Sequence, residues 1–359
     1  MKQLGISIYP ENASLKENKD YLSLAAKNGF TRVFTCLLSV KGDKKKIINE
    51  FKEIVDYGKK LGMDIIADVS PDVFKDLDIN YKDLSFFKGI GLYGIRLDLG
   101  FTGNEESIMT FNPYDLKIEI NMSGGTKYLE NILSYRPKTE NLIGSHNFYP
   151  HVYTGISRDH FIKCSESFKK ENIRTAAFIS SRNASFGPWP VNEGLCTLEE
   201  HRNLPIEVQA KDLFNTGLID DVIIANCFAS EEELHKLGEL NKDMIEFNVE
   251  LVDKISDIER KIVLEELHFN RGDISEYMIR STQSRVKYEE HNFPIFNPID
   301  IKRGDILIES SLYKRYKGEL QIALKGMKNS GRTNVVGRIS KEELYLLDYI
   351  KPWQKFKFK

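Results

Sequence analysis

Two neighbouring segments carry charges where apolar residues are expected. Gly94 to Leu99 reads GIRLDL and Leu116 to Met122 reads LKIEINM. In the first, Ile95, Leu97 and Leu99 share one face by two-residue alternation, which leaves Arg96 and Asp98 on the other. In the second, Ile118, Ile120 and Met122 leave Lys117, Glu119 and Asn121 opposite. A third run, Asp64 to Val69, ends with Asp68 on the face opposite Ile65, Ala67 and Val69. Desolvation costs several kcal/mol per ion, so an interior charge must be paired or neutralised. Strands about 4.8 Å apart can hold the Asp98 and Glu119 carboxyls within the roughly 5 to 9 Å used by paired glycosidase acids. One acid is then held protonated by the charge of the other. On this reading Asp98 and Glu119 share the acid and base or nucleophile roles, Asp68 orients substrate or tunes them, and Arg96 and Lys117 are the counter-charges. A structural ion-pair network is the competing reading. So is carbonyl chemistry of the isomerase or aldolase kind, through a Schiff base on Lys117 or through His146.

Further candidates surround these acids. GSHNFYP ends another apolar run and places His146, Asn147 and Tyr149 at the same rim, where His146 or Asn147 can bond an acetamido group or ring hydroxyls. Tyr9, Phe148, Tyr149 and Trp189 offer flat apolar surface for a sugar ring. Arg182 in SSRN, the turn SGGT (Ser123 to Thr126), and Arg280 and Arg285 in YMIRSTQSR are the candidate anion anchors. Ser230-Glu231-Glu232-Glu233 reads as a capped, acidic helix start unsuited to phosphate. No HxH or HExxH occurs and the seven histidines are dispersed, so neither a metal nor another cofactor is expected.

The elements that must position these residues alternate. From Gln3 to about Asn241 a short apolar run and then an amphipathic stretch recur eight times, the pattern of βα units. The expected strands are Leu4 to Tyr9, Arg32 to Leu37, Asp64 to Val69, Gly94 to Leu99, Leu116 to Met122, Leu142 to Phe148, Thr175 to Ser180 and Val222 to Phe228. Eight units in about 240 residues suit a (β/α)8 TIM barrel. A doubly wound dinucleotide fold is disfavoured, because Tyr9-Pro10-Glu11-Asn12 stands where GxGxxG would be needed. The long connection from Ser181 to Asp220, containing FGPWP, is expected to form a lid. Beyond it the pattern turns to one helix, Ile245 to Lys254, and short strands such as GDILIESSLY, which gives a barrel over 1–243 and a small β-rich domain over 244–359.

Composition narrows the partners. The chain has 359 residues, with 51 Lys and Arg against 53 Asp and Glu and a net charge of -2, so no basic stripe points to nucleic acid. The start MKQLGISIYPENAS is too short in apolar residues for a signal-peptide core, and Cys36, Cys164, Cys196 and Cys227 lack paired spacing. Both features suggest a cytoplasmic protein with no membrane partner.

MKQLGISIYPE, IRLDLGF, EINMSGGT, SHNFYP, EGLCTLEEHR and YMIRSTQSR together resemble the bacterial 6-phospho-N-acetylmuramidases, once labelled outer surface proteins. The family pattern has Pro where this sequence has Cys196. The resemblance spans the whole length and implies a (β/α)8 domain followed by a cyclophilin-like β domain. It also implies hydrolysis of the β-1,4 bond between 6-phospho-N-acetylmuramic acid and N-acetylglucosamine, in the recycling of peptidoglycan fragments. The substrate is then a phosphorylated amino-sugar disaccharide, whose phosphate and lactyl carboxylate would need anion anchors. A non-catalytic sugar-phosphate sensor is the remaining alternative.

Overall fold

Short aliphatic runs joined by amphipathic helices can pair only in parallel, since each helix carries the chain back to the same edge. The computed structural model describes residues 1–37 and 44–359. Among these, eight parallel strands close into a barrel in chain order, with the eighth pairing onto the first. They are β1 (Gln3–Ile8), β2 (Arg32–Leu37), β3 (Asp64–Val69), β4 (Gly94–Leu97), β5 (Lys117–Asn121), β6 (Leu142–Ser145), β7 (Arg174–Ile179) and β8 (Asp221–Ile224). Gly94 lets β4 approach β5, because a Cβ there would stand 2.6 Å from the Lys117 carbonyl oxygen.

Alternation gives the barrel two unlike faces. Ile6, Val33, Ile65, Ala67, Ile95, Leu97 and Ile118 point outward into the main core beneath the helices. Each side chain of this size contributes about 1.5 to 3 kcal/mol by full burial. Inside, Phe34, Phe178, Ile223 and Ala225 pack together on the side of β1, β2, β7 and β8. The other half of the interior, from β3 to β6, is polar.

Six of the eight strands have bounds one to four residues from those expected, and three differences along the chain change the reading. β4 stops at Leu97, so Asp98 and Leu99 lie past the strand, and Leu99 is exposed instead of facing the helices. The connection after β7 is not one long loop: Ile206–Asn215 is a helix that buries Ile206, Ala210, Leu213 and Phe214, which leaves about 25 irregular residues before it. The helix expected from Ile245 to Lys254 is two strands, β9 (Ile245–Phe247) and β10 (Val249–Leu251), because IEFNVEL alternates with period two. The helix comes later, at Asp257–Glu265, started by a Ser256 and Glu259 capping box.

The chain divides into Met1–Leu240 and Asn241–Lys359, against the expected 1–243 and 244–359. The second unit contains β11 (His268–Phe269), β12 (Met278–Ser281), β13 (Asp305–Glu309), β14 (Leu320–Ala323), β15 (Thr333–Ile339) and β16 (Lys355–Phe358). An antiparallel sheet has the order β10-β15-β13-β14-β12, beside a smaller one, β11-β16-β9. No helix among the described residues is long and apolar enough to cross a membrane.

Candidate active site

The polar half of the barrel is organised around one guanidinium. Asp68, Arg96 and Glu119 are register partners on β3, β4 and β5, so three charges lie in a row across adjacent strands. Arg96 is buried. Its Nη1 donates to Asp68 Oδ2 at 3.1 Å and its Nη2 to Asp98 Oδ1 at 3.1 Å. Its Nε donates to Ser145 Oγ at 2.9 Å, and Nη2 also reaches Asn147 Oδ1. Burial opposes the Arg96 charge, but Asp68, Asp98 and Glu119 together hold its pKa above the ordinary value. Terminal guanidinium nitrogens are about 2.3 Å apart, so the oxygens of Asp68 and Asp98 on Arg96 lie no more than about 8 to 9 Å apart, not beyond the upper end of the glycosidase range.

These two acids differ in environment. Asp68 is almost fully buried and its Oδ1 has no hydrogen-bond partner among the described residues. Burial pushes its carboxyl up to about 6 against the pull of Arg96. Asp98 has a side chain 43% exposed and accepts a second bond from Asn121 Nδ2 at 3.3 Å. A buried acid with a raised pKa beside an open, hydrogen-bonded carboxylate is the pairing that separates a proton donor from a base.

Glu119 does not reach the mouth. Its side chain is 0% exposed, Oε2 pairs with Arg32, and Oε1 stands 3.9 Å from Arg96 Nε. Two residues of β5 follow it, whereas Asp98 already lies beyond the end of β4, so Glu119 sits deeper in the barrel. The structure therefore places Glu119 below the mouth, paired with Arg32 and close to Arg96, where the expected role as acid or base has no access to a ligand.

Lys117 is also displaced. As the first residue of β5 it lies at the amino end of the barrel, with Nζ bonded to the Glu140 carbonyl and to Asn141 Oδ1, both at 2.9 Å. It cannot be a counter-charge at the mouth, and Arg32 takes that position toward Glu119. His146 faces away from the barrel interior. Its Nδ1 meets Ser123 Oγ at 3.0 Å and its Nε2 meets Ser165 Oγ at 2.9 Å, on the helix Arg158–Lys170. Burial lowers its pKa to about 3, so it stays neutral and occupied. Tyr9 is buried too, with its hydroxyl on the Ala225 carbonyl, and offers no ring to a ligand.

Other expected residues do gather at the carboxyl end. Asn121 and Asn147 touch Asp98 and Arg96 as described. Tyr149 is half-buried; burial raises its pKa, and the charges of Asp98 and Arg96 both act on it. The lid segment is tied down where the Ser185 and Phe186 amides bond the Cys227 carbonyl, and Asn12 Nδ2 donates to Gly187 O at 2.9 Å. A cleft of about 440 Å³ lies there, lined by Asn12, Phe186, Pro188 and the half-exposed Trp189. Arg182 is exposed, with Nη2 on the Asn203 carbonyl. The SGGT turn is not a free nest: Ser123 Oγ is shared between His146 and the Asn147 amide, and Ser123 O accepts from His160. Arg280 and Arg285 belong to the second unit, where both bond Glu319.

Sequence reasoning missed Ser145, which anchors Arg96, and Arg32, which anchors Glu119. Both were available from alternation, since Ser145 and Asn147 share a face that excludes His146, and Arg32 shares one with Phe34. Among the described residues no group of three or more His, Cys, Asp and Glu is arranged to hold a metal ion.

Two family models match the chain, described as 6-phospho-N-acetylmuramidase N-terminal over residues 4–239 and C-terminal over residues 245–359. An uncharacterized B. cereus protein of known structure is 53% identical, with a TM-score of 0.93 over 100% of this chain and 99% of that one. A conserved Enterococcus faecalis protein of unknown function, 22% identical, shares the fold with a TM-score of 0.72 over 99% of this chain and 96% of that one. No curated protein matches.

Proposed function

Because the chain belongs to the 6-phospho-N-acetylmuramidase family, whose members are glycosidases, we propose that it hydrolyses the β-1,4 bond between 6-phospho-N-acetylmuramic acid and N-acetylglucosamine. The observation that carries this reading is the unequal pair of carboxyls on Arg96. Asp68, whose burial strengthens its hold on a proton, gives that proton to the glycosidic oxygen as the bond to the anomeric carbon breaks. Asp98 faces the positive charge that grows on the sugar and takes the proton released by the attacking group. Asn121 holds Asp98 in place by donating to it, and Asn147 holds Arg96 by accepting from it.

Arg96 is spent on acids and is a poor phosphate ligand. Arg182 suits that role better, since only one of its terminal nitrogens is engaged, by a carbonyl. Trp189 beside Asn12 gives a sugar ring an apolar floor. The reaction fits the recycling of peptidoglycan fragments in the cytoplasm, a setting in keeping with four free cysteines.

The test is incubation with the phosphorylated and the unphosphorylated disaccharide, following release of N-acetylglucosamine. Cleavage should require the phosphate and should fall at least a hundredfold in Asp98→Asn. Equal cleavage of both substrates, or full activity of that variant, contradicts the proposal.

A further inference from the structure

The second unit contains a polar cluster that the barrel chemistry does not use. Antiparallel pairing sets Arg280 of β12 opposite Gln321 of β14, and Glu319 lies two residues before Gln321 on the same face. Glu319 is fully buried and binds two cations: Oε1 accepts from Arg280 Nε at 2.7 Å and Oε2 from Arg285 Nη1 at 2.8 Å. Both guanidiniums also lie over the Tyr316 ring, at 5.8 and 5.3 Å from its centroid. One carboxylate and one aromatic face thus hold two arginine forks side by side.

A second buried acid, Glu309, also faces Arg280, and burial pushes its carboxyl up to about 7. Glu319 answers two guanidiniums, each with a side chain about a quarter exposed, at 22% and 26%. Arg280 Nη1 and Arg285 Nη2 have no acceptor among the described residues, so the pair keeps free N–H groups at its open side. A planar fork with spare donors matches two oxygens of a phosphate or carboxylate.

Gln321 is the second, independent observation. It is 4% exposed, its Nε2 donates to Glu319 Oε1 at 3.2 Å, and its Oε1 has no partner among the described residues. Leaving a buried acceptor unpaired costs roughly 1 to 3 kcal/mol, and such groups are rare in native proteins. A donor from outside the chain, a hydroxyl or an N–H, would satisfy it.

We propose that Arg280, Arg285, Tyr316 and Gln321 form an oxyanion site in the second unit, for a phosphate monoester whose neighbouring hydroxyl or N–H donates to Gln321. This site does not depend on the hydrolysis proposed above. Binding to the full chain is measured by calorimetry with inorganic phosphate, glucosamine 6-phosphate and glucosamine. Glucosamine 6-phosphate should bind at least tenfold more tightly than inorganic phosphate, and glucosamine alone should not bind. Arg285→Lys keeps the charge but loses the fork, and should weaken this binding at least tenfold with the melting temperature unchanged. If that variant folds poorly, Tyr316→Leu at the exposed ring should weaken it several-fold. Arg182→Gln should leave this site intact, which separates it from any phosphate held at the barrel. Absence of saturable binding overturns the proposal, as does binding indifferent to Arg285→Lys and Tyr316→Leu, which would mean an adventitious ion only.

Discussion

The two ends of the barrel interior each contain arginines and acids, yet they are built for opposite purposes. At the amino end, Asp221 is bound by Arg32 and Arg174 so that both of its oxygens are paired, and Arg174 also reaches Gln3 Oε1 at 2.8 Å. At the carboxyl end, Asp68 keeps an oxygen without a partner among the described residues and Asp98 opens to solvent. Glu119 joins the ends, touching Arg32 below and approaching Arg96 above. A charged cluster in a barrel is therefore not a site by virtue of its charges. Unpaired buried atoms occur at both ends, Arg32 Nε among them, so what marks the carboxyl end is a buried acid beside one that opens to solvent, on one guanidinium.

Breaking that contrast should show most strongly in Asp68→Asn. Removing a general acid lowers kcat by about 10² to 10⁴, and because this carboxyl is already disfavoured by burial the melting temperature should hold or rise. Steady-state kinetics and calorimetry on one preparation check both halves of this expectation. The reverse outcome is expected for Asp221→Asn. It leaves Arg32 and Arg174 short of a buried partner and should cost about 3 to 5 kcal/mol of stability, while kcat per folded molecule stays within about twofold. Denaturant titration with active-site counting separates these effects.

The pH dependence sharpens the same comparison. Asp68 holds its proton more tightly in the folded chain than in the unfolded one, about 6 against 3.8. Its contribution to stability is thus complete below about 3.8 and is lost as pH rises through about 6. In Asp68→Asn this part of the slope should vanish. The ratio kcat/KM should likewise decline above about pH 6, as the donor loses its proton.

Smaller effects are expected at the edges of the account. Trp189→Ala should raise KM a few-fold with little change in kcat, because it removes only stacking surface. Lys117→Met should change kcat and KM by less than about twofold, since its ammonium serves Glu140 and Asn141 at the amino end. Total loss of turnover in Lys117→Met would revive the Schiff-base chemistry.

The barrel was legible because its signal is local. Period-two alternation correctly assigned Arg96 and Asp98 against Ile95 and Leu97, and Asp68 against Ala67. What failed was everything that depends on depth along the barrel. Alternation tells which way Lys117 and Glu119 point, but only the register Gly94 to Lys117 shows that one lies at the wrong end and the other below the mouth. His146 was a different error, because Asn147 cannot share its face and the pattern itself excluded one of them. In the second unit, IEFNVEL was taken for a helix although its period is that of a strand. Arg280 and Arg285 were visible as a pair, whereas Glu319, which aligns them, is 34 residues further along the chain than Arg285.

The central claim is that Asp68, beside Arg96, holds its proton up to about pH 6. It is tested most directly by a ¹³C NMR titration of the Asp68 carboxyl, assigned by its disappearance in Asp68→Asn. The account predicts a midpoint near 6 in the free protein. A midpoint at or below about 4, the range of an ordinary aspartate, contradicts it.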